Sequence, residues 1–263
     1  VLSRAAPRRV LRPRSVEEAA AVLADLPAAE VLGGGTVALP DWRRRGAPEF
    51  AVHLGAVVEP RRLGSRECGA LVTLDELTRD ARVPTALRQA AASVGGPAVR
   101  AMATVGGNVV AVRPGCVAVA LLAVGAVGEG RDRGAPGESA TFSLDDLFDS
   151  TDRLLLSTHW QSTTESAFAK LAVRSAGGPN VVSVAIGRTA DTRAIAIGGP
   201  GTRPHRVAAA ESDWGEGASA ADVARAAAVG ALVADDVTAT ARYRRAAVET
   251  LVRRLITTIE EGG

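Results

Sequence analysis

The sequence reads as an α+β protein made of two adjacent units, and three observations carry that reading. Short extended segments alternate with amphipathic helical ones from Ser15 to Trp160. Further strands follow between Ala167 and Gly198, and two alanine-rich helices, Ala218–Val233 and Ala239–Glu261, close the chain. A length of 263 residues exceeds one small domain, and 47% apolar residues suffice for sizeable cores. The boundary is expected between 160 and 165, giving units 1–162 and 163–263.

The first unit opens on residues 15–26. Ser15 with Glu18 forms a capping-box start, and Val16, Ala19, Ala20, Leu23 and Leu26 share one face. A short strand, Glu30–Leu32, runs straight into Gly33-Gly34-Gly35-Thr36, and another is expected at Phe50–Leu54. Gly69–Val72 leads to a second capping box, Thr73 with Glu76. Pro84 suits the start of a helix that runs to Val94 and stops at Gly95-Gly96. After Thr104-Val105-Gly106-Gly107-Asn108 the chain is apolar as far as Val127. Gly128–Ser139, rich in glycine and charge, is expected as an exposed turn or hairpin. Strands resume at Arg153–Trp160, Ala167–Val173, Val181–Ile186 and Arg193–Gly198. Alternation places Phe168, Lys170 and Ala172 on one face.

Several functions are excluded early. The longest apolar run, Cys116–Val127, is about half of the ~20 residues that a membrane span requires. Two distant cysteines, Cys68 and Cys116, make neither a disulfide framework nor a metal or iron–sulfur site, and point to a cytoplasmic protein. A net charge of +2 with mixed signs and 3% aromatic residues leaves no nucleic-acid surface. His53, His159 and His205 fall in no metal-ligand spacing, and no G-x-S-x-G elbow occurs. Without a nucleophile–base–acid set, any enzymatic chemistry must come from a bound cofactor.

The glycine clusters are the candidate site. Segments without side chains let backbone N–H groups approach an anion, and Thr36, Thr104 and Asn108 would add donors. Two such clusters suit one diphosphate gripped from both sides. Gly33, Gly35 and Ala38 also fit a G-x-G-x-x-A dinucleotide fingerprint, but a helix precedes the strand and Pro40-Asp41 should interrupt the helix that the fingerprint needs. Lys170 is the single lysine among 31 basic residues, so it marks a place where a compact ammonium suits better than a guanidinium.

The order of these features resembles the FAD-binding medium subunits of molybdenum hydroxylases, the carbon monoxide dehydrogenase and xanthine dehydrogenase family. The resemblance rests on Leu11–Ala19 followed by Val31–Thr36, on Gly69–Leu77, and on Val99–Asn108, which is similar to the family's I-R-N-x-x-T-I-G-G-N. Val181–Ala185 and Tyr243–Arg254 resemble its C-terminal domain. It implies a two-part FAD-binding domain of the vanillyl-alcohol-oxidase/PCMH type, split near residue 55, followed by a small sheet-plus-helices domain. It also implies FAD, contacted by Leu32, Gly33, Gly34, Gly35, Thr36 and Val37 and by Thr104, Val105, Gly106, Gly107 and Asn108. Leu155 and Lys170 match further family contacts. The implied partners are an iron–sulfur small subunit and a molybdopterin large subunit, with NAD, O2 or a quinone as electron acceptor.

One departure bears on the cofactor. The family carries a flavin-contacting Asp nine positions past the Asn, and here that position is Val117. Loss of a carboxylate contact lowers affinity about 5- to 150-fold, so FAD is expected to be held more loosely than in relatives, unless Arg113 reaches a phosphate. Two other readings stay open: a stand-alone flavoenzyme acting on a small molecule, and a flavin-free binding or scaffold protein that has lost its cofactor contacts.

Overall fold

The computed structural model describes residues 6–111, 115–133, 137–149, 152–161, 165–174, 178–200 and 202–261. The first layer is a parallel sheet. Strand β1 (Arg9–Leu11) leads through helix α1 (Val16–Asp25) to β2 (Glu30–Leu32), helix α2 (Ala38–Arg45) and β3 (Phe50–His53), with strand order β1-β3-β2. Ser15 Oγ accepts the Glu18 N–H, while the Glu18 carboxylate takes the N–H of Arg14 rather than that of Ser15. Side-chain alternation divides the sheet: Val52 joins Val16, Ala19 and Leu23 of α1, whereas Leu32 and Ala51 meet Trp42 of α2. Pro40 does not interrupt α2, contrary to the expectation from sequence. It lies in the first turn, where its missing N–H would have had no partner within the helix.

The middle layer contains β4 (Glu67–Gly69), α3 (Leu74–Arg79), α4 (Thr85–Ala92), α5 (Pro97–Arg100), α6 (Val105–Val109) and α7 (Cys116–Ala123). It continues with β5 (Val127–Asp132), β6 (Ala140–Ser143), α8 (Leu144–Asp149) and β7 (Arg153–His159), giving an antiparallel sheet in the order β4-β7-β5-β6. The capping box at Thr73 and Glu76 is complete in both directions. Every residue of α7 is buried, which explains an apolar run without amphipathic periodicity. Gly128–Ser139, expected as an exposed turn or hairpin, lies in the antiparallel pair β5–β6, but its start is buried inside this sheet. Gly128 and Gly130 are buried between β6 and β7, where a Cβ would strike the Phe142 ring or the Leu154 carbonyl. Burial pushes the Cys68 thiol up to about 12. Alkylation of Cys68 at mildly alkaline pH is therefore expected only on unfolding; mass spectrometry of native and urea-treated protein checks this.

The last layer is β8 (Glu165–Ala172), β9 (Asn180–Arg188), β10 (Arg193–Gly199) and β11 (Thr202–Arg206), antiparallel in the order β11-β10-β9-β8. Helices α9 (Ala208–Gly215), α10 (Ala220–Gly230) and α11 (Ala241–Glu261) complete it. Val182, Val184, Ile186, Ile195 and Ile197 pack on these helices. The opposite face carries small residues because α7 presses on it: Ala185 and Ala196 share the core of α7, and a Cβ on Gly187 would overlap the Ala123 carbonyl. The junction placed at 162/163 falls among residues 162–164, outside the described residues. A polar tie crosses it where β8 lies on α4. Ser166 Oγ accepts the Ala86 N–H at 3.1 Å, Gln89 Oε1 accepts the Phe168 N–H at 2.8 Å, and Lys170 Nζ donates to Ser93 O at 3.0 Å. No helix among the described residues is long and apolar enough to cross a membrane.

Candidate functional site

The two glycine segments meet. Gly33–Val37 crosses from the end of β2 to the start of α2, at the carboxyl end of the parallel sheet beside His53. Ligands gather at this end because strand ends and helix starts leave free amides there. Gly34 rests on the backbone of Met102, whose carbonyl a Cβ would overlap, and a Cβ on Gly33 would lie 2.8 Å from Thr104 Oγ1. Gly35 has φ +71°, a conformation that a side chain would strain.

The segments differ in what they offer. Among the described residues, the N–H groups of Gly34, Gly35, Thr36, Val37 and Ala38 meet no protein acceptor, and α2 has no side-chain cap. Leu39 is the first to bond, to Gly35 O at 3.0 Å. This leaves a row of donors at the positive end of a helix, suited to an anion. Asp41 in the first turn would repel such a ligand, but Arg44 at 2.8 Å and Arg45 pair with it. The Arg45 hydrogen bond holds its carboxyl below the usual range.

Thr104–Asn108 is not a second backbone nest. Val105 N–H bonds Val72 O, Gly106 N–H bonds Ala70 O, and the N–H groups of Gly107 and Asn108 bond Thr104 Oγ1 and O. Gly106 is required because a Cβ would lie 2.8 Å from that of Ala70. What remains available is the amide of Asn108. Its Oδ1 accepts the Val117 N–H at 2.9 Å, and its Nδ2 has no acceptor among the described residues.

The other expected residues do not open onto this place. Leu32, Val105, Val117 and Leu155 keep their side chains in the apolar cores, and Val117 is 0% exposed, so it has no surface from which to meet a ligand. Its place at the buried start of α7 is the physical reason. Lys170 is engaged at Ser93, and Arg113 lies outside the described residues. Val37, Leu39 and Met102 form an exposed apolar rim. Sequence reasoning missed the backbone of Met102 and Ala103 as the support of Gly34; no local signal in the sequence pairs these segments.

A second polar cluster resembles a triad but is not one. Ser157 Oγ and Glu129 Oε2 lie 2.8 and 2.9 Å from the same nitrogen, His159 Nε2. A hydrolytic relay needs hydroxyl and carboxylate on opposite ring nitrogens. Among the described residues no group of three His, Cys, Asp or Glu side chains is placed to hold a metal.

A parallel α/β layer with an uncapped helix start, braced by a second glycine turn from a following layer, defines a diphosphate-cofactor protein built outside the Rossmann pattern. Residues 6–158 match the family described as the FAD binding domain in molybdopterin dehydrogenase, and the chain belongs to that family of FAD-dependent oxidoreductases. Solved structures agree on the fold. Cu,Mo-CO dehydrogenase in its cyanide-inactivated form is 21% identical over 96% of both chains, with a TM-score of 0.82. Carbon monoxide dehydrogenase from Hydrogenophaga pseudoflava is 24% identical over 95% of this chain and 96% of that one, again at 0.82. Quinoline 2-oxidoreductase from Pseudomonas putida 86 is 22% identical over 96% of both, at 0.81. Among curated proteins, none matches the sequence.

Proposed function

We propose that this chain holds FAD by its diphosphate on the amides of Gly34–Ala38 and relays electrons between two partners. The donor is an iron–sulfur protein, itself reduced at a molybdopterin centre, and the acceptor is NAD, O2 or a quinone. Gly33–Val37 forms the contact surface, Thr104, Gly107 and Asn108 close it, and Leu32, Val105, Gly106, Val117 and Leu155 stay buried. The flavin supplies the redox chemistry, since the chain presents no cysteine cluster or metal site of its own among the described residues.

The observation that carries the reading is the run of amides from Gly34 to Ala38, without acceptors among the described residues, at an uncapped helix start entered through glycines with no room for side chains. FAD and ADP are both expected to bind and to compete, whereas FMN, with one phosphate, binds far more weakly. Calorimetric titration of the flavin-stripped protein checks this. Failure of both FAD and ADP to bind overturns the reading.

A further inference from the structure

Lys170 and Arg100 converge on one end of one helix. The last carbonyls of an α-helix lack partners within it and carry its negative end, so cations gather there. Helix α4 has no basic residue in its own last turn. Lys170 Nζ, from β8, donates to Ser93 O at 3.0 Å. Arg100 Nη1, from α5, donates to Gly95 O at 2.9 Å and to Ala92 O and Val94 O at 3.3 Å. The chain then turns at Gly95, with φ +50°, and reaches Met102, on whose carbonyl Gly34 rests without clearance.

Resting on the FAD reading above, we propose that Lys170 and Arg100 are positioning residues. They hold the end of α4, and thereby the 93–102 segment that supports the diphosphate-binding glycines, rather than touching the flavin ring. The third sheet is then coupled to cofactor binding through α4, whose start is also tied to β8 by Ser166. No slack absorbs a shift, because the contact at Gly34 is backbone against backbone.

The test compares FAD with ADP, which shares the diphosphate and lacks the ring. Lys170→Met and Arg100→Met are each expected to weaken both ligands by the same factor. That factor is about tenfold for Lys170, the worth of one charge-assisted hydrogen bond, and no smaller for Arg100, which holds three carbonyls. Lys170→Arg, which still caps the carbonyl, restores both affinities and keeps the comparison informative if a methionine variant folds poorly. Weakening of FAD alone overturns the proposal in favour of a ring contact. A lowered melting temperature with unchanged affinities overturns it in favour of a purely structural role. Parent protein that binds neither ligand fails the FAD reading itself, and this inference with it.

Discussion

Gly34→Ala is expected to leave the purified protein without bound FAD, with affinity reduced at least ~100-fold, an effect of about 3 kcal/mol. The added methyl would overlap the Met102 carbonyl, and both contacting groups are backbone, so no rotamer change relieves the clash. Overpacking of this kind costs typically about 1–3 kcal/mol even where side chains can give way. Relief must come from separating the two segments, which displaces the free amides of Gly34–Ala38. Gly96→Ala is the control, because a Cβ there meets nothing within 4 Å. That variant is expected to carry flavin as the parent does. Visible flavin absorbance and titration read both. Parent-like flavin content in Gly34→Ala would mean that the Met102 segment yields freely.

Val117→Asp is expected to destabilise the fold by at least about 3 kcal/mol, the order of cost for burying an unpaired charge. The family comparison alone suggests the opposite, a restored flavin contact. Val117 is 0% exposed within a helix buried on every side, and its N–H is already taken by Asn108. A carboxylate on a side chain with no exposure loses its hydration. The penalty should ease as pH falls, because the neutral acid is less costly to bury than the anion. Urea unfolding at two pH values measures it. Unchanged stability with tighter FAD binding would show that the turn entering α7 presents this position to the cofactor.

Local signals were legible where the chemistry is local. Ser15, Thr73 and Pro84 marked helix starts because a cap is set by neighbouring backbone groups. Strands β7 to β10 were legible as apolar runs between turn residues, with alternation marking the faces only in β8. Gly128–Ser139 was legible as a hairpin but not as a buried one. Glycine next to charge reads as a turn, yet Gly128 and Gly130 are small because Phe142 and Leu154 lie against them across the sheet. Pro40 misled for a related reason: its effect depends on which turn of a helix it occupies. Lys170 stood out by its singularity, but nothing near it in sequence names Ser93.

Membership of the family and the two candidate glycine segments were readable from the chain alone, since a motif is a run of neighbours whose spacing survives in the sequence. Which glycine segment keeps its amides free was decided by tertiary structure. Thr104–Asn108 resembles a nest as plainly as Gly33–Thr36 does, but Val72, Ala70 and Thr104 take its donors. Thr104 is the cap of α6 itself, whereas the Ala70 and Val72 carbonyls, on the link between β4 and α3, reach it only in the folded chain. Hydrogen-bond vacancy depends on groups distant in sequence, and only the folded chain brings them within reach.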